Sequence, residues 1–200
     1  GRDPAEGDPG AAPADAAVPT GLDPAALRRA FGSFGTGVTI VTTRDADGRP
    51  VGMTVNSFTA VSLDPPLLLW CIQRQVWPYA AFHGSDRFAV HVLHAGQRAL
   101  SDRFAGTDPN RFEGVALAEG IDGLPLLAEH AACFQCRVEH RYDGGDHLIL
   151  VGEVERCGQA VDAAVSGKNT VVVSSGDAGI YGMAGLVLEI LEARGLLAEV

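Results

Sequence analysis

The sequence holds no run of about 18 or more apolar residues, which removes a helical membrane span from consideration. No basic start followed by an apolar stretch is present, so no secretory signal is expected and a cytoplasmic location is. Positive charge is scarce: 15 Lys and Arg against 25 Asp and Glu give a formal net charge of −10. That balance argues against nucleic acid and anionic membrane as partners, since both need a basic footprint. It also means that any phosphate must be held by local donors against an unfavourable field. A P-loop, a Gly-x-Gly-x-x-Gly fingerprint and a Gly-x-Ser-x-Gly elbow are all missing, and no Ser-His-Asp set can be assembled.

Cysteine is sparse as well: Cys71, Cys133, Cys136 and Cys157 are the full set. Without a secretory signal they read as reduced core residues rather than a disulfide framework. Cys133-Phe134-Gln135-Cys136 matches C-x-x-C but lies in a strand-like stretch, where an odd separation puts the two sulfurs on opposite faces. The same period argues against His91 and His94 as a metal pair. No other Cys/His cluster has ligand spacing, so no metal is expected.

What is present suits a single domain, the prior for 200 residues being about 100–200 per domain. Residues 1–21, rich in Gly, Ala, Pro and Asp, read as a flexible leader; 22–178 read as the folded domain and 179–200 as a helical extension. Asp23-Pro24 is an N-cap followed by proline at the first helical position, opening a short amphipathic helix over Pro24–Phe31. Strands are expected over Val38–Thr43 and Pro50–Phe58, joined by the turn Asp45-Ala46-Asp47-Gly48. Leu67–Ile72 reads as a buried strand and Arg87–Leu93 as another, flanked by helices at Trp77–His83 and Ala95–Phe104. Cys133–Tyr142 and His147–Glu155 form a hairpin about Gly144-Gly145; Asn169–Ser174 is a last strand and Gly185–Arg194 a closing helix. The glycines at 176, 179, 182 and 185 lack the strand and lysine of a phosphate loop and read as a turn before that helix. Strands joined by tight turns with few helices between them predict a mainly β, antiparallel barrel with short flanking helices.

One stretch combines an apolar background with small hydrogen-bonding groups: Thr54, Asn56, Ser57, Thr59 and Ser62 within Gly52–Pro66. Buried polar groups need partners, and backbone or a ligand would serve equally well here. This stretch, with Phe31–Thr43, Phe88–Leu93, Arg111-Phe112, Gly145-Asp146-His147 and Val151–Val154, resembles the flavin reductase-like, FMN-binding split-barrel family over residues 24–175. That family includes reductase components of two-component flavin monooxygenases.

The resemblance implies a Greek-key split barrel forming a homodimer, with flavin near the subunit interface. By position, Asn56 and Ser57 would serve the ribityl–phosphate end, and Thr59, Ala60, Val61 and Ser62 would line the isoalloxazine ring. Thr36, Thr54, Gln73 and Arg74 are further cofactor-binding candidates, and His147 matches the histidine associated with the nicotinamide. The implied reaction is hydride transfer from NADH, or NADPH, to FMN or FAD, with reduced flavin passed to a partner monooxygenase. Because the cofactors carry the reacting atoms, the protein's share is positioning and electrostatics, which fits the absence of acid, base and nucleophile motifs. Two departures from the family stand out: Val76-Trp77 where a serine is usual, and Val173-Ser174-Ser175-Gly176-Asp177-Ala178 at the place of the usual aromatic-rich Gly-x-Tyr element. A flavin-retaining oxidase of a small molecule and a non-catalytic flavin-binding scaffold are the alternatives.

Overall fold

A computed structural model describes residues 21–159; the expected strand at 169–174 and helix at 185–194 lie outside the described residues. The chain divides after Phe34 into two compact units. In the first, α1 (Pro24–Phe31) starts where the Asp23 carboxylate accepts from the backbone N–H groups of Ala25 at 3.0 Å and Ala26 at 3.1 Å.

The second unit is built on a seven-stranded antiparallel sheet. In chain order its strands are β1 (Thr39–Arg44), β2 (Pro50–Val55), β3 (Thr59–Leu63), β4 (Pro66–Gln73), β5 (Arg87–Val92), and, after a separate hairpin of β6 (Leu117–Glu119) and β7 (Pro125–Leu127), β8 (Ala132–Gly144) and β9 (His147–Gln159). Helix α2 (Tyr79–Gly84) lies between β4 and β5, and α3 (Arg98–Ala105) follows β5. The spatial order β2-β1-β5-β8-β9-β4-β3 leaves β2 and β3 at the two ends of the sheet. Side chains from both halves nonetheless meet in one core: Val41, Val51, Leu68, Trp70, Ile72, Phe88, Val90 and Leu150 are packed together. The sheet therefore curls around its apolar face, as a split barrel does, with no ladder joining its ends among the described residues.

The reasons for this arrangement are local. β1 is almost entirely β-branched and sits between β2 and β5, buried on both faces. Its threonines can be buried because each hydroxyl finds a carbonyl: Thr39 donates to Val55 at 3.0 Å and Thr42 to Pro125 at 2.6 Å, while Thr43 lies 2.8 Å from the carbonyl of Arg87. The β1–β2 turn closes on Asp45, whose carboxylate accepts from Asp47 and Arg49, with Gly48 at φ 77°. In β4 only alternate residues, Leu68, Trp70 and Ile72, are buried, so the expected buried run is a strand with one face on the core and the other half-exposed. Pro50–Phe58 proves shorter than expected: the ladder stops at Val55, and a separate strand, β3, starts at Thr59.

Close packing decides two glycines. A Cβ on Gly52 would lie 2.9 Å from Phe112 Cζ and 3.0 Å from Phe104 Cε1, and one on Gly152 would lie 2.5 Å from Phe88 Cζ. Both strands pass too near aromatic rings for any side chain. Cys133 packs with Ala89 and Leu124, whereas Cys136 belongs to the main core, so the two sulfurs of the C-x-x-C text enter different clusters. Burial pushes the thiols up, Cys133 to about 12. His91 is fully buried: its Nδ1 lies 3.1 Å from the Ile40 carbonyl and its Nε2 accepts from Leu127 N–H at 3.1 Å. With both ring nitrogens engaged by backbone, it is a core histidine holding one tautomer.

Candidate functional site

The polar run after β2 splits into groups with protein partners and groups that face solvent. Thr54 donates to the Ser101 carbonyl at 2.7 Å and ties β2 to α3. Ser57 accepts from Cys71 N–H at 2.9 Å and donates to Cys71 C=O at 3.2 Å, so one hydroxyl replaces a rung of ladder between the β2–β3 connection and β4. Burial pushes the Cys71 thiol up despite the Ser57 hydrogen bond. Ser62 accepts from Asp64 N–H at 3.2 Å and closes the turn into β4. Asn56, Thr59, Ala60 and Val61 are exposed, and β3 is an edge strand with a bulge between Ala60 and Ser62. The outer edge of β3 thus offers backbone donors and acceptors beside small side chains.

A second group gathers where β4 ends and the β8–β9 turn begins. The β4–β9 register sets Gln73 opposite His147. Arg74 then reaches into the turn: its guanidinium bonds Asp143 at 2.8 Å, the Tyr79 hydroxyl at 3.0 Å and the Gly145 carbonyl at 3.3 Å. Its backbone N–H donates to the Asp146 carbonyl at 2.9 Å. The Arg74 guanidinium holds the Asp143 carboxyl below the usual carboxylate range, and His147 does the same for Asp146. His147 Nδ1 lies 2.7 Å from Asp146 Oδ1. A carboxylate oxygen can only accept, so Nδ1 carries the hydrogen of this contact, and Nε2 has no hydrogen-bond partner among the described residues.

The structure therefore joins Gln73, Arg74 and His147 in one cluster and ties Ser57 to β4 two residues before Gln73. Thr36 lies exposed in the connection before β1, outside this cluster's hydrogen bonds. Tyr79 and Asp143 join the site without having been singled out in the sequence, and Asp146, quoted there only within Gly145-Asp146-His147, joins as the partner of His147. The two acids flank the Gly144-Gly145 turn, and that position was the available signal.

One further cation shapes this region. Arg111 is 2% exposed, yet among the described residues its guanidinium bonds only backbone carbonyls: Gly52 at 3.1 Å, Phe104 at 3.2 Å, Gly106 at 2.9 Å and Asp108 at 3.0 Å. Its Cζ stands 5.0 Å from the centroid of the Trp77 ring. Burial lowers its pKa from the usual arginine value.

These residues fit a flavin. A tricyclic ring with a polar edge suits an exposed strand edge carrying Thr59, Ala60 and Val61, and a phosphate needs a local cation such as Arg74 in a chain of net charge −10. Residues 31–175 match the flavin reductase like domain, and the chain belongs to that family. It is 47% identical over 133 residues to a probable flavin reductase of Rhizobium meliloti, covering 66% of this chain and 43% of that protein. The reductase subunit HsaB of a flavin-dependent monooxygenase from Rhodococcus jostii is 42% identical, with 66% and 68% covered. Among solved structures, the NADH:FAD oxidoreductase SgcE6 of Streptomyces globisporus, in complex with NAD and FAD fragments, superposes with a TM-score of 0.65. It is 41% identical and covers 68% of this chain and 82% of that one. The chain spans less than half the length of the R. meliloti relative.

Proposed function

We propose that this chain is an NAD(P)H:flavin oxidoreductase, a homodimer of the cytoplasm that supplies reduced flavin to a partner flavin-dependent monooxygenase. The observation that carries the reading is the cluster of Gln73, Arg74 and His147 at the end of β4, two residues beyond the Ser57–Cys71 tie to the β2–β3 connection. When bound, flavin would accept the hydride of a reduced nicotinamide at its own ring, so the protein need supply no reacting atom.

What the chain's residues contribute is placement. The outer edge of β3, with Thr59, Ala60, Val61 and Ser62, would hold the ring; Asn56 and Ser57 would face the ribityl–phosphate end. Thr36, Thr54 and Gln73 complete the proposed pocket. Arg74 supplies the cation for phosphate, at the cost of exchanging part of its bond to Asp143. His147, with Nδ1 held by Asp146, presents Nε2 to accept a hydrogen bond from the carboxamide of the nicotinamide. By holding the two cofactors in position, these residues would take several kcal/mol off the barrier, the order reached by well-oriented intramolecular reactions at about 7–11 kcal/mol. The domain doing this work is residues 22–178. SgcE6, by name an NADH:FAD oxidoreductase, supports NADH as the donor, and HsaB supports a monooxygenase as recipient.

The test mixes purified protein with NADH or NADPH and with free FMN, FAD or riboflavin, and follows nicotinamide absorbance. Oxidation that depends on added flavin is expected, faster with NADH. No oxidation from a folded, flavin-binding sample would move the reading to an oxidase or a scaffold. Within an active sample, His147→Ala should raise the KM for nicotinamide about tenfold, the scale of one lost hydrogen bond in a site. Flavin affinity should stay unchanged; equal loss of both would remove His147 from that role.

A further inference from the structure

Trp77 is an unusual place to spend one of two tryptophans: it stands 55% exposed, while Trp70 is wholly buried. Its exposure is not that of a loose surface residue. The guanidinium of Arg111, itself 2% exposed and fixed by four backbone carbonyls, backs the ring at 5.0 Å. A ring supported in this way is held in one orientation before any ligand arrives, so stacking on it loses little side-chain entropy. With a cation on one face, the second face is less suited to another cation and better suited to a neutral, electron-rich base. Trp77 also lies three residues after Arg74, in the same short connection between β4 and α2, which keeps their Cα atoms within about 11 Å, a span that the ribose and diphosphate of a nucleotide can bridge.

We propose that the open face of Trp77 stacks the adenine ring of a dinucleotide whose phosphates are received at Arg74. The inference deepens the proposed reductase function, and the adenine belongs to FAD or to the nicotinamide dinucleotide. Two readouts separate the sources. If the adenine is that of FAD, Trp77→Ala weakens FAD binding about tenfold, the scale of a base–aromatic stack, and leaves FMN binding unchanged. If it is that of NADH, the same variant raises the KM for NADH about tenfold but not that for reduced nicotinamide mononucleotide, and FAD and FMN bind as before.

A third measurement needs no turnover. ADP alone, titrated at millimolar concentration, should quench the exposed tryptophan emission of the intact chain, and the quench should vanish in Trp77→Ala. Trp77→Phe, which keeps a planar ring over Arg111, should restore most of the discrimination. That restoration distinguishes stacking from loss of packing on Arg111. The proposal is overturned if ADP leaves wild-type emission unchanged, or if Trp77→Ala weakens FAD and FMN equally with no effect confined to NADH. A wild-type chain that oxidises no nicotinamide but still shows the ADP quench at Trp77 would sink the reductase reading and leave the adenine site standing.

Discussion

His91 illustrates how one side chain can serve as structure while carrying a pH cost. Its ring bridges the carbonyl of Ile40 in β1 and the N–H of Leu127 in β7, and burial lowers its pKa from 6.5 to about 3. An imidazole that must stay neutral when folded favours the native state above its unfolded pKa. As pH falls below about 6.5 the unfolded chain takes up a proton that the folded chain refuses, and stability declines until about pH 3. Between pH 7 and pH 5 this single residue should cost about 2 kcal/mol. Urea denaturation at the two pH values should show that loss in the wild type and a much shallower dependence in His91→Asn. Identical slopes would assign the acid sensitivity elsewhere. From the sequence, the β period already argued against His91 as a ligand. Its backbone partners were not legible, because Leu127 lies 36 residues away in a strand too short to show a period.

The same contrast holds for whole elements. α1 runs over the predicted residues because its signal is local, an Asp-Pro start with nothing distant to override it. The β8–β9 hairpin was legible from its turn, and its strands extend to 13 residues each. β3 and β6 escaped because short, largely exposed strands carry no core-facing pattern, and β7 because three residues are too few to show a period even where Leu127 is buried. Within the sheet, the β5–β8 register sets Arg87 directly opposite Arg137, a pairing of like charges that is unfavourable by itself. Acids on both sides answer it: Arg87 bonds Asp122 and Glu155, while Arg137 bonds Glu139 and Glu153 and lies 3.7 Å from Glu155. Glu155 is shared between the two arginines. Glu155→Gln should lower stability by about 1 kcal/mol, more than an isolated surface pair gives. The loss should shrink in 1 M salt, where the repulsion is screened within about 3 Å. A salt-independent loss would point to packing instead.

At the scale of the molecule, β3 matters for what it leaves exposed. Among the described residues that strand ends the sheet, and Val61 and Leu63 are 49% and 70% exposed on it. Exposed apolar side chains such as these favour burial against a second chain, in keeping with the homodimer proposed above. Sedimentation velocity at micromolar concentration should give a dimer, and Leu63→Glu should shift it toward monomer; a wild-type monomer would remove the edge from that role. The candidate site was legible in parts that lie close in sequence, such as Asn56 through Ser62 and Gly145-Asp146-His147. It was illegible where assembly depends on register, as when the Gln73–His147 pairing brings Arg74 onto Asp143.

Arg111 leads to a last consequence. Among the described residues its guanidinium bonds no carboxylate, only the carbonyls of residues 52, 104, 106 and 108, with the Asp108 charge acting at longer range. Protonating acids or adding electrolyte leaves those four hydrogen bonds in place. The corner where β2 meets the end of α3 is therefore tied by a knot indifferent to the conditions that loosen His91 and the arginine ladder. It is the place from which a partly acid-unfolded chain would keep its native course.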